Sequence, residues 1–341
     1  MAIKEYFRQG RGYFVRVLGI AMGAAFLGGA CITPALAAKD VYPAERVTWI
    51  IPVKPGGSFD MMARLMAPYL SKYLMETKGA KGGGVVLKNV VEAGGARAYS
   101  SIYNGKPDGY TIGYFNAAFV ADNLMSKSDI DCNKYTFIMR THVSTRVINI
   151  RKKGPFKTWA EMMAAGKEKE LKVAAGNFGR GHYIAGILVK DATKMPARLI
   201  AFPGSAENAS ALVRGDVDMS INLEESSTPL LESGDFGVLT TLSETSIYPG
   251  VLSIAQLGYP ELAAPLALQF LLIAPPNLPK DVSDTLIAAA KKVFQDKEFL
   301  AKAEKMGIHP NPLYGADAAR VAKGIFKFYE DKTPTIAKYL K

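Results

Sequence analysis

From residue 47 onward, short β-branched or aromatic runs alternate with longer runs of helical period. Val47–Val53 (VTWIIPV) reads as a buried strand stopped by proline. After Lys54-Pro55-Gly56-Gly57-Ser58-Phe59, Asp60 opens a run in which Met61, Met62, Leu65, Met66, Leu70 and Leu74 recur at helical spacing. Pro68 falls inside that run as a possible kink. Val85–Val91 is the next strand, a helix follows from Gly94-Gly95 to about Asn104, and Pro107-Asp108-Gly109-Tyr110 turns into a strand at Thr111–Phe115. This β-α-β-α-β order predicts parallel strands covered by helices.

A second unit of the same kind begins near residue 142. Val147–Ile150 is a strand, and Thr158 with Glu161 has capping-box spacing before a helix. Leu171–Ala175 runs into Gly176-Asn177-Phe178-Gly179-Arg180-Gly181-His182, then a helix from Tyr183 to Ala192. Arg198–Phe202 leads into Pro203-Gly204-Ser205-Ala206 and a helix over 206–214, followed by a strand at Val217–Asn222. The last third holds a strand at Ala267–Ala274 and helices over 280–294, 298–306 and 316–330. The fold expected is α/β in two lobes, each a sheet flanked by helices. Lobe one would comprise 44–141 and 254–341, and lobe two 142–253. The lobes would close about two crossing strands.

The first residues follow a different pattern. Lys4, Arg8, Arg11 and Arg16 precede an apolar stretch from Val17 to Ala30, and Thr33-Pro34-Ala35-Leu36-Ala37-Ala38 ends it with small residues. Charge, apolar core and A-x-A exit occur in the order of a secretory signal, so residues 1–37 are expected to be cleaved near Ala37/Ala38 and the protein to work in the periplasm. A lipoprotein attached at Cys31 is the alternative, although Leu27 stands one place too far away for the usual lipobox. Removing this segment takes away four cations and one anion and lowers the formal charge from +11 to +8. The remaining lysines are interspersed with acids, as at Lys297, Glu298, Lys302, Glu304 and Lys305, which describes a solvated face rather than a nucleic-acid surface. Cys132 is then the single cysteine, and His142, His182 and His309 lie far apart, so neither a disulfide nor a metal site is expected.

Three strand–glycine–helix turns therefore stand out, at 54–60, 176–182 and 203–206. A helix N-terminus presents free N–H groups and partial positive charge, and glycine lets a ligand approach the backbone, so each turn suits an anion. A single turn of this kind is as well explained by steric punctuation; three shared between two units are better explained by a ligand beyond the strand ends. Gly79-Ala80-Lys81-Gly82-Gly83-Gly84 lacks the Gly-Lys-Ser/Thr ending of a phosphate loop, and Gly176–His182 lacks the dinucleotide fingerprint, so no cofactor is expected. Ser58, Asp60 and His182 can be drawn as a triad, but no Gly-x-Ser-x-Gly elbow surrounds Ser58, and the chain is not read as an enzyme. His182 is open to two readings, a hydrogen-bond donor to an anion or a polar turn residue.

These motifs resemble the substrate-binding proteins of tripartite tricarboxylate transporters, the Bug family. Pro52, Gly56, Gly57 and Asp60 match its first loop. Ala93-Gly94-Gly95, Pro107–Thr111, Lys157-Thr158, Gly176-x-x-Gly179-x-Gly181-His182 with Ala185-Gly186, and Pro203–Ala206 follow in order. Gly215–Asp218, Ala274-Pro275 with Pro279, and Met306-Gly307 complete the pattern from about residue 46 to 330. The resemblance implies a two-lobed, type II-like periplasmic-binding-protein fold, each lobe a mixed sheet flanked by helices, with the ligand in the interlobe cleft. It also implies a monomeric periplasmic receptor for a small organic acid (a di- or tricarboxylate or an aromatic carboxylate) delivered to integral-membrane transporter subunits. A sensor presenting the same lobes to a signalling receptor is the alternative. Carried over by position, the ligand site would comprise Lys54–Asp60, Gly176–His182, Phe202–Ser205 and Asn222, with Asn116 at the end of the 111–115 strand. Lys54, Pro55, Phe178, Arg180, Asn222 and Gln269 depart from the residues usual in the family. Lys54 and Arg180 either bind the anion or face solvent, Phe178 suits an aromatic acid, and Asn222 in place of an acid suits a ligand without an ammonium group.

Overall fold

A computed structural model describes residues 41–177 and 180–340. The proposed signal segment with Cys31, and Phe178 and Gly179, lie outside the described residues. The first lobe begins with β1 (Val47–Ile51), α1 (Ser58–Met75), β2 (Val85–Asn89), α2 (Ala96–Tyr103), β3 (Thr111–Phe115), α3 (Phe119–Met125) and β4 (Thr136–Ser144). The chain then changes sheet across Thr145 into β5 (Arg146–Arg151) and continues through α4 (Trp159–Glu168), β6 (Leu171–Ala174), α5 (Gly181–Thr193), β7 (Ala197–Ile200), α6 (Ser205–Arg214), β8 (Met219–Leu223), α7 (Glu224–Glu232) and β9 (Phe236–Leu242). It ends with α8 (Pro260–Leu266), β10 (Leu268–Ala274), α9 (Lys280–Val293), α10 (Lys297–Lys305), β11 (Pro310–Tyr314) and α11 (Gly315–Tyr339).

The strands form a six-stranded sheet, β11-β4-β10-β3-β1-β2, and a five-stranded sheet, β7-β6-β8-β5-β9. Each is mixed. Three neighbouring strands run parallel (β3-β1-β2 and β7-β6-β8), and the remaining pairings are antiparallel. The alternation of strand and helix covers only the parallel trios. Strand β4 is hard to recognise from periodicity because both its faces are covered and it carries buried Arg140, Thr141 and His142 among its apolar residues. Strand β11 is an edge strand with prolines at 310 and 312, where proline removes no ladder bond that the sheet needs.

The aromatic residues explain why the first lobe seats its opening turn firmly. Trp49 from β1, Tyr114 from β3, Phe59 from α1 and Phe270 from β10 form one ring cluster with centroids 4.7–5.8 Å apart. Each of these rings is buried, worth roughly 1.5–3 kcal/mol apiece for the apolar area removed from water. Helix α11 lies on β4, α3 and β11 of the first lobe and continues against α5 of the second, where Tyr339 Oη donates to Asp191 at 3.1 Å. Thr158 caps α4 as expected, its Oγ1 accepting from Glu161 N; the reciprocal bond from Glu161 reaches Lys157 N instead of the cap residue.

Candidate functional site: two glycine turns and the groups between them

Asp60 organises the first turn. The residue is 1% exposed, and both of its oxygens are engaged: Oδ2 accepts from Gly56 N at 2.9 Å and Arg64 Nε at 2.7 Å, and Oδ1 from Asn89 Nδ2 at 2.9 Å. Burial would raise its pKa, but these hydrogen bonds outweigh burial and hold the carboxyl below the usual carboxylate range. Asn89 also donates to Val53 O, and Gly57 N to Lys54 O, so the loop is tied at both ends. Gly56 has φ +84°, the left-handed region that suits glycine. Asp60 is therefore a brace behind the loop, and Phe59 puts its ring in the core, so neither side chain is a free ligand group. Lys54 and Pro55 are exposed, while Gly57 and Ser58 are half-buried at the start of α1, which has no side-chain cap.

The second turn is built without a charge. Gly176, at φ +70°, donates its N–H to Asn208 Oδ1 at 3.0 Å and accepts from Phe202 N at 3.0 Å. Asn208, fully buried on α6, donates in turn to Ile221 O at 3.0 Å and Asn222 Oδ1 at 3.2 Å. One amide thus gathers the ends of β6, β7 and β8. Asn222 is fully buried within this network. Pro203, Gly204 and Ser205 follow at the uncapped start of α6. A groove of about 360 Å³ opens beside this third turn, lined by Phe202, Ala206, Glu207, Ser210 and Arg214, with both charge signs in its wall.

Arg180 spans the lobes. Its Nη1 pairs with Asp122 Oδ2 on α3 at 2.5 Å, and its Nη2 donates to Ala93 O at 2.8 Å. The guanidinium lies over Gly94, where a Cβ would come within 2.3 Å of Arg180 Nε. Ala93, Gly94 and Gly95 have successive φ values of 50°, 63° and 92°, and Gly95 packs against Pro52 of the first turn. The side chain is a partly exposed cross-lobe tie to a residue pair that the sequence did not connect with it.

Arg146, at the first position of β5, is 2% exposed. Its Nε donates to His182 Nδ1 at 3.3 Å and its Nη1 to Leu266 O. No carboxylate pairs with it among the described residues. Burial and the neighbouring guanidinium push His182 down to about 3, so the imidazole is neutral and, with Nδ1 accepting, carries its proton on Nε2. His182 therefore has no hydrogen bond to Asp60, and the imagined Ser58–Asp60–His182 triad is not assembled. A Cβ added to Gly181 would lie 3.2 Å from Arg146 Nη2 and 3.2 Å from Asn116 Nδ2. Asn116 has its Oδ1 occupied by Ala118 N, which turns the amino group toward Gly181. Asn116, at the end of β3, and Gly181, at the start of α5, thus meet across the lobes.

The model of the tripartite tricarboxylate transporter family receptor matches residues 66–329. The chain belongs to that family. Receptors of this family are two-lobed periplasmic solute-binding proteins, not enzymes. A UPF0065 protein of Agrobacterium vitis is 27% identical over 296 residues, covering 84% of this chain and 82% of that protein. A R. palustris structure with adipate superposes with a TM-score of 0.72 at 22% identity, covering 87% of this chain and 98% of the other. MatC of Rhodopseudomonas palustris, with bound malate, superposes with a TM-score of 0.68 at 22% identity, covering 88% of this chain and all of the other.

Two buried polar residues beside the second turn escape sequence reading. Asn208 sits in a helix where a polar residue ordinarily faces water. Arg146 flanks a strand as any solvated arginine would. The available signal for Arg146 was its position just before Val147–Ile150, a run apolar enough to be buried on both faces. Among the described residues no helix is long and apolar enough to cross a membrane, and no group of His, Cys, Asp and Glu is placed to hold a metal.

Proposed function

We propose that this receptor captures a small organic acid between its two glycine turns and delivers it to the membrane subunits of a tripartite transporter. The observation that carries this reading is the convergence of hydrogen-bond donors from both lobes where the lobes meet. Asn116 Nδ2 and the uncapped N-terminus of α5 face each other there, while Asp60, the acid of the first turn, is consumed behind its loop. N–H groups that face each other between the first two glycine turns suit an anion and disfavour an ammonium group. Asn222 adds no negative charge to the second lobe, which points away from amino acids. Adipate and malate, bound by the R. palustris proteins of the same fold, belong to the chemical class expected here. The proposed site comprises the backbone of residues 54–58 and 176–182, the 202–205 turn and Asn116, with the domain boundaries and cleavage near Ala37/Ala38 as expected above.

A thermal-shift screen of di- and tricarboxylates, aromatic carboxylates, sulfonates and amino acids tests this directly. A bound acid at 100 times its Kd should stabilise the fold by about 2.7 kcal/mol. If only sugars or cations raise the melting temperature, anion capture is wrong.

A further inference from the structure

Among the described residues no carboxylate forms an ion pair with the buried guanidinium of Arg146. The nearest carboxylate in electrostatic reach, Glu225, accepts from Ser144 Oγ at 2.5 Å rather than from the arginine. Burial raises the pKa of Glu225, which weakens it further as a counter-ion. The two groups that Arg146 does bond, His182 Nδ1 and Leu266 O, are neutral acceptors. An isolated charge held out of water costs several kcal/mol, and a protein retains one where something supplies the opposite charge. Among the described residues neither Arg146 Nη2 nor Asn116 Nδ2 has a protein acceptor, and both lie beside Gly181. Gly181 has no positive φ that would demand glycine. Its missing side chain keeps open the space onto which both nitrogens converge.

We infer that Arg146 is the buried counter-charge of the ligand: its Nη2 and Asn116 Nδ2 donate to one carboxylate group of the bound acid, in the space that Gly181 leaves open at the start of α5. This rests on the reading of the protein as an organic-acid receptor and names the residue that selects for negative charge. An arginine edge and an amide together recognise a planar oxyanion and reject its uncharged amide, which cannot neutralise the guanidinium. Asn116 comes from the first lobe and Arg146 from the second, so the same carboxylate joins the lobes when it binds.

Calorimetric titration of the purified receptor with succinate, malate, adipate and benzoate, and with adipamide, tests the assignment. Gly181→Ala is the sharper variant because it fills the space while leaving every hydrogen bond of the apo protein in place. Expected is at least about a thirtyfold loss of affinity for the bound acid, with an apo melting temperature equal to or above that of the wild type. Arg146→Gln should lose as much, Arg146→Lys should recover part of it by restoring charge, and adipamide should not bind. If the wild type binds an acid and Gly181→Ala binds it within threefold, Arg146 is not its counter-charge, and carboxylate capture still stands. If the wild type binds none of the acids, carboxylate capture fails and the role of Arg146 fails with it.

Discussion

The two glycine turns do the same geometric job with opposite electrostatics. The first is braced from behind by a carboxylate, Asp60, which takes up the Gly56 N–H and two side-chain donors. The second is braced by a neutral amide, Asn208, and flanked by a buried cation, Arg146. An anion approaching the first turn meets backbone dipoles backed by the Asp60–Arg64 ion pair. At the second it meets backbone dipoles and a positive charge. The difference teaches that similar sequence patterns, a strand, glycines and a helix, need not contribute equally to a binding site. On the proposed reading the first turn shapes the cleft and the second neutralises the ligand.

Breaking each brace sharpens that contrast. Asp60→Ala should cost the most, about 3 kcal/mol in urea unfolding, because it removes a charged acceptor of three hydrogen bonds and strands Gly56 N and Asn89. A loss under 1 kcal/mol would show that the loop holds its shape without the carboxylate. Asn208→Ala should cost about 2 kcal/mol, leaving Gly176 N and Asn222 unsatisfied. It should also weaken ligand binding more than Asp60→Ala does once stability is matched. Equal effects on binding would erase the distinction between the turns.

The histidines give a pH test with a definite sign. His182 in the second lobe and His142 in the first, stacked on Phe270 with centroids 3.8 Å apart, are both depressed by burial to about 3. The unfolded chain takes up their protons near pH 6.5, whereas the folded protein does not do so until near pH 3. Each therefore contributes stability that is present above pH 6.5 and is lost as pH falls from there toward 3, at up to about 1.4 kcal/mol per pH unit. His182→Gln should remove its share of that slope between pH 6.5 and 5; a slope unchanged in the variant would mean the folded imidazole already titrates near its ordinary pKa. The smallest effect belongs to Arg180→Ala. Its partly exposed pairing with Asp122 is worth roughly 0.2–1 kcal/mol, so affinity should fall no more than about fivefold. A hundredfold loss would return Arg180 to the ligand.

Local signals carried the turns and the strand–helix alternation into view: Pro52 ending an apolar strand, Gly56 at a positive φ, and Thr158 at the head of α4 all act on their immediate neighbours. What the sequence withheld depends on distant partners. Asn208 matters through Gly176, thirty-two residues away, and Arg180 through Ala93 and Asp122 in the other lobe. Arg146 matters through what it lacks, an anion, which no periodicity encodes. The sheet change at Thr145 lies close to the second unit's expected start near residue 142, although β4 and β5 join with no glycine or proline between them to mark the exact crossing.

The most direct measurement is a crystal structure with the tightest-binding acid from the screen. A carboxylate oxygen should lie about 2.7–2.9 Å from Arg146 Nη2, with its partner within hydrogen-bond reach of Asn116 Nδ2, beside Gly181. A carboxylate held only by the first turn or by Lys54, with the space beside Gly181 left to water, would contradict the assignment of the ligand's charge to the second lobe.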